Sequence, residues 1–342
     1  MSDTPKHLED LHERASRPSD AVIESVADVE DDVVVLGAGG KMGFHLCRML
    51  QRALESAGKT TSVIAVSRFG DKTARQPFEE HSIKTLSADV SSLDGLRSLP
   101  DSTNVFFLAG VKFGTTGDAA LLENMNVTMP ALVGERYYSS TIVALSTGCV
   151  YPFTSPESGG STEDSPAEPT GDYAVSCLGR EQAFHETSTL YGTRVSLIRL
   201  NYAVDLRYGV LVDIARAVLE GKPIDVTMGH VNVIWQGDAV AQIVRARCHA
   251  ARPPTTLNVT GTRILRVREV AEFFGRRFKK PVEIRGEEAP TAWLSDSSKA
   301  QELFGAPEVD EDQLCEWVAH WLESGGETLD RPTHFETRDG NY

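Results

Sequence analysis

The feature that most constrains the fold of this 342-residue chain is an apolar run that ends in a glycine-rich turn. Val33–Leu36 is apolar throughout, as in strands that are buried on both faces of a parallel sheet. Glycines follow with the spacing GxxGxxG, at Gly37, Gly40 and Gly43, and residues 43–54 then have helical periodicity. A strand, a glycine turn and a helix in this order predict a phosphate-binding unit of a parallel α/β fold.

Each glycine of the turn has a separate physical role in such a unit. Gly37 permits the tight turn, Gly40 lets backbone amides approach a pyrophosphate, and Gly43 lets the helix pack against the strand. Lys41, inside the turn, is expected either to neutralise phosphate charge or to point into solvent. The residues predicted to contact the phosphates of a dinucleotide are Gly37, Gly39, Gly40, Lys41, Met42 and Gly43.

The end of the second predicted strand indicates which dinucleotide is bound. An acid at this position accepts hydrogen bonds from the ribose 2′-hydroxyl of NAD. Here residues 62–66 are followed by Ser67 and Arg68, with no acid. A guanidinium pairs well with a 2′-phosphate, so we expect NADP in preference to NAD, although NAD stays possible. The alternative is that Arg68 is a surface cation that stacks on the adenine.

Strand-like and helical segments alternate through the first 200 residues, which predicts βαβ units and a parallel sheet. The expected fold is therefore α/β, a doubly wound Rossmann sheet with a smaller C-terminal substrate lobe. Further strands are expected at 105–108, 142–145 and 195–200, and helices at 121–137 and 173–190.

Composition suggests how the chain is divided. An acidic N-terminal arm of two short helices is expected at 1–32, and a loose polar tail at 331–342. The arm is expected to lie on the domain, with a partner-binding role as the alternative. Residues 152–171, rich in proline, glycine and serine, are long enough to suggest a functional loop.

The overall composition excludes several classes of protein. A net charge of −15 argues against non-specific binding of nucleic acid or of anionic membranes. No apolar run is long enough for a transmembrane helix, and the N-terminus lacks the apolar core of a signal peptide. The five cysteines are scattered, so neither a metal site nor a disulfide framework is expected. A cytoplasmic protein is the expectation.

Several further motifs follow the glycine turn in a fixed order: Ala88-Asp89-Val90, Phe107-Leu108-Ala109-Gly110, Asn126, Ser146-Thr147-Gly-Cys-Val-Tyr151 and Tyr173-Ala-Val-Ser-Cys177-Leu-Gly-Arg-Glu181. With them, the chain from residue 33 to about 304 resembles the extended short-chain dehydrogenase/reductases, the NAD(P)-dependent sugar epimerase/dehydratase family. The resemblance implies hydride transfer between a nicotinamide and a sugar. It further implies a dinucleotide-binding domain at 33–200 with 235–262 returning to it, and a substrate lobe at 201–234 and 263–330. It also implies a homodimer that pairs through the helices at 121–137 and 173–190.

The resemblance assigns roles to the residues of these motifs. Tyr173 would exchange a proton with the substrate oxygen while Thr147 donates a hydrogen bond to it; Ser146 is a weaker candidate because strand neighbours face opposite ways. Asp89 would contact adenine, with Val90 beside it. The implied contacts near the nicotinamide ribose are Leu108, Ala109, Gly110, Asn126 and Tyr173.

One position departs from the family's pattern. The lysine expected four residues after Tyr173 is Cys177, which carries no positive charge. Three interpretations follow: Lys112 supplies the missing charge from another loop, the charge of the oxidised nicotinamide activates Tyr173, or catalysis is lost. In the last case the chain would be an NADP-binding regulatory or assembly protein. Arg180 shares the helical face of Tyr173 but is expected to lie farther from the cofactor, and a nucleophilic Cys177 or Cys149 lacks a neighbouring histidine.

The substrate contacts are less constrained by the sequence. Tyr151, Asn201 and Arg207 follow predicted strands on the expected substrate side, as does Thr147. Arg207 would bind a carboxylate or phosphate, or else form a structural salt bridge. The sequence does not distinguish a nucleotide sugar from a free sugar or a sugar acid. It predicts an NAD(P)-dependent oxidoreductase or epimerase with a Tyr/Thr site, with the catalytically silent NADP-binding protein as the alternative.

Overall fold

The computed structural model describes residues 4–70, 73–112 and 118–340. Its strands are β1 (Val33–Leu36), β2 (Val63–Ser67), β3 (Lys84–Ser87), β4 (Asn104–Phe107), β5 (Thr141–Thr147), β6 (Arg194–Leu200), β7 (Ala203–Val204), β8 (Ile224–Asp225), β9 (His230–Val231), β10 (Ile234–Trp235), β11 (Thr255–Val259), β12 (Leu265–Arg266) and β13 (Ile284–Arg285). Seven of them form a parallel sheet in the order β11-β6-β5-β4-β1-β2-β3. The order reverses direction between β1 and β4, which is where a doubly wound sheet opens a ligand crevice.

Helices cover both faces of the sheet. They are α1 (Leu8–Ala15), α2 (Asp20–Ser25), α3 (Gly43–Ser56), α4 (Gln76–Glu79), α5 (Leu93–Arg97), α6 (Ala119–Glu123), α7 (Met129–Arg136), α8 (Asp172–Tyr191), α9 (Val210–Glu220), α10 (Gln236–Ala246), α11 (Val267–Phe278), α12 (Ser298–Phe304) and α13 (Glu311–Glu323). The predicted helix at 121–137 is interrupted by a π-helical turn, Asn124–Thr128, between α6 and α7. The expected α/β fold class is confirmed.

The apolar runs of the strands follow from this double coverage. Val35 and Phe106 pack with α3 and α10 on one face, whereas Val34 and Phe107 pack with α7 and α8 on the other. A strand covered on both faces needs no polar alternation, which explains the unbroken run at β1. The edge strand β3 was not predicted because its residues are polar and largely exposed.

The acidic N-terminal arm is docked on the body of the protein. Leu11 and Val22 are fully buried. Glu13 pairs with Arg52 at 2.9 Å on α3, and its second carboxylate oxygen accepts from Arg48 at 3.3 Å. Ser19 caps α2, accepting a hydrogen bond from the Val22 amide. Glu13 of the arm therefore faces two cations of α3.

A second core lies in the C-terminal lobe, where α9, α11 and α13 pack around tryptophans such as Trp317 and Trp321. The last described residues belong to this lobe and are not the loose tail expected from their polar composition. Thr333 is 4% exposed and Phe335 is buried in the lobe's core. The Thr333 hydroxyl donates to Asp213 of α9 at 2.6 Å, so a polar contact and the burial of Phe335 together hold this segment. No helix among the described residues is long and apolar enough to span a membrane.

Candidate active site

A cavity of about 270 Å³ opens at the carboxyl ends of the central strands, beside the reversal point of the sheet. Residues from the glycine turn, from the ends of β4, β5 and β6, from the start of α9 and from the C-terminal segment line it together. Its lining is Gly37, Gly40, Lys41, Met42, Gly43, Leu108, Lys112, Leu145, Thr147, Cys149, Leu200, Asn201, Tyr202, Ala203, Tyr208, Gly209, Val210 and Thr333.

The glycine turn is shaped to receive a pyrophosphate. Gly37 has φ +83°, and a Cβ there would lie 2.5 Å from the Ala109 nitrogen. A Cβ on Gly43 would lie 2.0 Å from the Ala38 carbonyl oxygen, so both positions require glycine. A Cβ on Gly40 would touch only the Gly37 oxygen, at 3.3 Å, and would otherwise project into open space. Because α3 also begins without a side-chain cap, its first amides can bind an anion, and the residues present fit a dinucleotide.

The predicted adenosine contacts lie together at the ends of β2 and β3. Ser67 packs against Gly39, whose Cβ would meet the serine hydroxyl at 2.6 Å. Arg68 is exposed. Hydrogen bonds from Ser91 lower the pKa of Asp89, and the charge of Arg68 lowers it further. Asp89 is exposed while Val90 is buried. An exposed cation at this strand end is free to meet a ribose phosphate.

At the end of β4, Leu108 lines the cavity and Ala109 is buried against the glycine turn. Gly110 is required because a Cβ would lie 2.3 Å from the Arg180 guanidinium. Asn126, expected to contact the cofactor, is instead buried and holds the loop after β4: its amide nitrogen donates to the Val111 oxygen at 3.0 Å, and its oxygen accepts from the Val111 nitrogen at 3.1 Å. Asn126 therefore positions the segment that carries Lys112.

The two hydroxyls at the end of β5 face opposite sides, as the pleat requires. Ser146 donates to the buried Glu181 at 2.5 Å, which in turn pairs with Arg199 at 2.7 Å. Thr147 lines the cavity, and its oxygen accepts a hydrogen bond from the Cys149 amide at 3.2 Å. The Thr147 proton is left available for a ligand oxygen, so this residue is the better hydroxyl donor of the two.

Tyr173, Cys177 and Lys112 come together, and of the three Lys112 lines the cavity. The Lys112 nitrogen lies 5.5 Å from the centroid of the Tyr173 ring, although the two residues are far apart in the sequence. Cys177 is 0% exposed and its thiol is hydrogen-bonded to Tyr173. Burial raises the pKa of Cys177, so at neutral pH it is a thiol rather than a thiolate nucleophile.

Burial and nearby groups shift the pKa values of Tyr173 and Lys112 in this cluster. Burial, followed by Cys177 and Cys149, raises the pKa of Tyr173 well above its usual value, while the Arg180 guanidinium acts in the opposite direction. Burial also lowers the pKa of Lys112. Arg180 does not reach toward the cavity; it donates to the Leu145 oxygen at 2.9 Å and to Asn126 at 2.6 Å. Lys112 is the cation of this group that lines the cavity.

Lys41 neither points into solvent nor lies along the glycine turn. Its amine crosses the cavity, donates to the Ala203 oxygen at 2.8 Å and lies 3.9 Å from the centroid of the Tyr208 ring. Burial lowers the pKa of Lys41 to about 7. The side chain therefore belongs to the substrate side of the cavity as much as to the phosphate turn.

Of the expected substrate residues, the structure brings Asn201 and Thr147 to the cavity but not Tyr151 or Arg207. Tyr151 is 1% exposed, and its hydroxyl donates to Asn258 at 2.8 Å, so core packing occupies it. Arg207 forms the structural salt bridge that was its alternative, with the fully buried Asp205 at 2.8 Å. The loop at 152–171 lies against residues 292–296 through bridges such as Thr154 to Ala292, and none of it lines the cavity.

Sequence reasoning missed Tyr202, Tyr208, Gly209, Val210 and Thr333, all of which line the cavity. Tyr202 has φ +43°, a conformation that no sequence pattern marks in a tyrosine. Gly209 and Val210 begin α9, and the start of an apolar helix after a glycine was the one available signal. Thr333 arrives from the end of the chain through tertiary contacts that local patterns do not encode.

Comparison with known proteins finds one matching family. The sequence pattern of the NAD dependent epimerase/dehydratase family matches residues 33–257. The chain belongs to this family. Membership classes it with NAD-dependent enzymes and confirms the resemblance expected from the motifs. No curated protein matches the chain by sequence.

Solved structures of similar fold include family enzymes with bound cofactor. A UDP-glucuronic acid 4-epimerase from Bacillus cereus in complex with NAD is 18% identical, over 85% of this chain and 98% of that chain, with a TM-score of 0.69. A UDP-galactose 4-epimerase is 20% identical, over 86% and 99%, with a TM-score of 0.66. The Bordetella bronchiseptica enzyme WbmG, in complex with NAD and UDP, is 18% identical, over 88% and 97%, with a TM-score of 0.70. At these identities the likeness shows the fold.

Proposed function

We propose that the protein is an NAD(P)-dependent oxidoreductase or epimerase of a sugar-type substrate, with Lys112 in the role of the family's missing lysine. The observation that carries this proposal is the Lys112 amine 5.5 Å from the Tyr173 ring, in a cavity that also holds Thr147 and the glycine turn. A cation from the β4 loop restores the charge that Cys177 cannot supply.

The roles of the residues follow from these positions. The nicotinamide cofactor, held by the glycine turn and the ends of β2 and β4, supplies hydride transfer when it is bound. Thr147 donates a hydrogen bond to the reacting oxygen, and Tyr173 gives or takes that oxygen's proton. Lys112 favours the ionised form of Tyr173, because a positive charge nearby stabilises the phenolate. Asn126 keeps the Lys112 segment in place.

The cofactor preference is tested by titration with NADPH and NADH, followed by nicotinamide fluorescence. We expect tighter binding of NADPH, since Arg68 is exposed at the end of β2 with no acid on that strand. Replacing Arg68 with alanine should weaken NADPH by about tenfold and leave NADH nearly unchanged, because a charged hydrogen bond to the 2′-phosphate is lost. Equal weakening of both nucleotides would mean that Arg68 stacks on adenine, and no binding of either would remove the proposed function.

A catalytically silent NADP-binding protein is the second candidate. The observation in its favour is the buried thiol of Cys177 beside Tyr173. The pKa of Tyr173 is raised well above its usual value. Tight NADPH binding without turnover on a panel of neutral sugars, sugar acids, sugar phosphates and nucleotide sugars would favour this candidate. Turnover on any of them would exclude it.

We also propose that two copies pair through α6, α7 and α8. Val175 and Leu190 of α8 are exposed apolar side chains, at 55% and 73%. Gly179 of the same helix packs against Val127, which keeps α8 close to the π-helical turn. Light scattering should give twice the monomer mass; a monomer would contradict this assembly.

A further inference from the structure

The cavity surface is positive. Two lysines, Lys41 and Lys112, line it, and no carboxylate does so in the part of the chain that the structure describes. The nearest acid to Lys41 in electrostatic terms is Asp205, which is fully buried and bonded by both the backbone and the side chain of Arg207. Arg207 therefore neutralises that acid, and the charge of Lys41 is left over for a ligand.

The Lys41 ammonium has more hydrogen-bond donors than the described residues offer it acceptors. An ammonium group donates three hydrogen bonds. The described residues give it one acceptor, the Ala203 carbonyl at 2.8 Å, and the face of Tyr208. No ion pair of Lys41 occurs among the described residues. A sheltered ammonium without an anionic partner is unfavourable, so an anion that enters the cavity gains a charged hydrogen bond at little cost in reorganisation.

The first turn of α9 adds to the same potential. The helix runs for 11 residues, and its cap Gly209 has φ +133° and no side chain to bond the first amides. Gly209 and Val210 both line the cavity with Lys41 and Tyr208. Unbonded amides and the positive end of a helix favour an anion, and here they accompany a lysine amine in one cavity.

The cavity is small and covered by the end of the chain. Its 270 Å³ lies below the usual range for ligand pockets, about 300–1,000 Å³, and it must also accept a nicotinamide. Thr333 closes one side, fixed by two bonds to the same Asp213 oxygen, from its amide at 2.8 Å and from its hydroxyl at 2.6 Å. Leu329 of the same segment donates to the Arg207 oxygen at 3.0 Å.

We propose that the substrate is a monosaccharide with one anionic group, a carboxylate or a phosphate, and that Lys41 and the start of α9 bind this group. This inference rests on the proposed function and narrows its substrate class. The anionic group lies at the Lys41 side of the cavity, and the reacting carbon faces Thr147 and Tyr173. Nucleotide sugars are disfavoured because the cavity is small and the segment with Thr333 closes one side of it.

The test is calorimetric titration with D-glucuronate, D-glucose 6-phosphate, D-glucose and UDP-glucuronic acid, each with and without NADPH. We expect glucuronate, glucose 6-phosphate or both to bind at least about tenfold more tightly than glucose and than UDP-glucuronic acid. Lys41→Met should remove the advantage over glucose. Lys41→Arg should keep part of it, and Lys280→Met, a change of an exposed lysine in the distant lobe, should have no effect. The two anionic probes show whether the carboxylate or the phosphate is preferred.

Three results would overturn the inference. They are binding of glucose as tight as that of both anionic sugars, failure of all four sugars to bind, and tightest binding of UDP-glucuronic acid with no effect of Lys41→Met. Circular dichroism of each variant separates a lost contact from a lost fold. Failure of NADPH to bind would count against the proposed function and not against the inference about the substrate. The two results are distinguishable because each sugar is also titrated without NADPH.

Discussion

The glycine turn and the pocket around Tyr173 lie at the same edge of one sheet, yet they are specified in different ways. At the turn, Gly37 and Gly43 are required by backbone atoms 2.5 Å or less from where a Cβ would be. At the pocket, Cys177 stands where the family pattern has lysine, and the cations come from Lys112 and Lys41 on other segments. Backbone sterics thus shape the glycine turn, whereas our proposal takes the catalytic charge of the pocket from a side chain on another element.

The largest expected effect is on turnover, and it distinguishes the pocket around Tyr173 from the glycine turn. Tyr173→Phe should lower turnover about a thousandfold, because it removes the group that exchanges the proton. NADPH affinity should change less than about threefold, since the glycine turn is untouched. Steady-state turnover with the best sugar and fluorescence titration of NADPH measure the two quantities. Undiminished turnover would mean that another group handles the proton, with Lys41 the first alternative.

Two glycines allow a matched pair of changes within the turn. Gly40→Ala adds a methyl group that meets only the Gly37 oxygen, at 3.3 Å, and projects to the cofactor side. We expect about tenfold weaker NADPH binding with the free energy of unfolding nearly unchanged. Gly43→Ala places a Cβ 2.0 Å from the Ala38 oxygen, so it should lower the free energy of unfolding by about 2 kcal/mol. Denaturant unfolding distinguishes them, and equal stability losses would contradict the separate roles.

The pocket should also respond to pH, through the side chain that Lys41 of the glycine turn extends across it. Burial lowers the pKa of Lys41 to about 7, so the amine is protonated below pH 7 and loses its charge above it. Between pH 7 and 8, glucuronate affinity should fall about fivefold, following the loss of the protonated form. The charged or titratable groups around Lys41 are Asp205, Arg207, Tyr208, Asp213 and His45.

Controls assign this pH dependence to Lys41. Burial lowers the pKa of His45 to about 3 and raises that of Tyr208 to about 12, so neither changes charge between pH 7 and 8. Lys41→Arg keeps a fixed charge and should flatten the profile. Asp213→Asn should keep the pH dependence, because Lys41 still titrates in this variant. The change tests whether the Asp213 carboxyl, whose pKa is raised by burial, contributes to the profile. A profile that persists in Lys41→Arg would point to Lys112 instead.

The fold was predictable from the sequence because its signals are local. The apolar run at β1, the glycine turn and the start of α3 lie within a dozen residues, and each is fixed by the backbone conformation of its own segment. Strand alternation predicted that only one of Ser146 and Thr147 faces the cavity, and the resemblance to the family gave that place to Thr147. These elements needed no knowledge of distant contacts.

The rest of the pocket depends on tertiary packing that the sequence does not display. The direction of Lys41 is set by Ala203 and Tyr208, far along the chain. Thr333 looked like part of a loose tail because the bonds that hold it go to Asp213. Tyr151 matched a motif, but its hydroxyl is taken by Asn258 in the core.

The central claim, that Lys112 has replaced the lysine lost at Cys177, is tested most directly by the turnover of Lys112→Ala beside its NADPH affinity. We predict a loss of turnover of about a hundredfold, NADPH binding within about threefold of wild type, and partial recovery in Lys112→Arg. Turnover equal to that of the wild-type protein would contradict the account and would leave the charge of the oxidised nicotinamide as the activator of Tyr173.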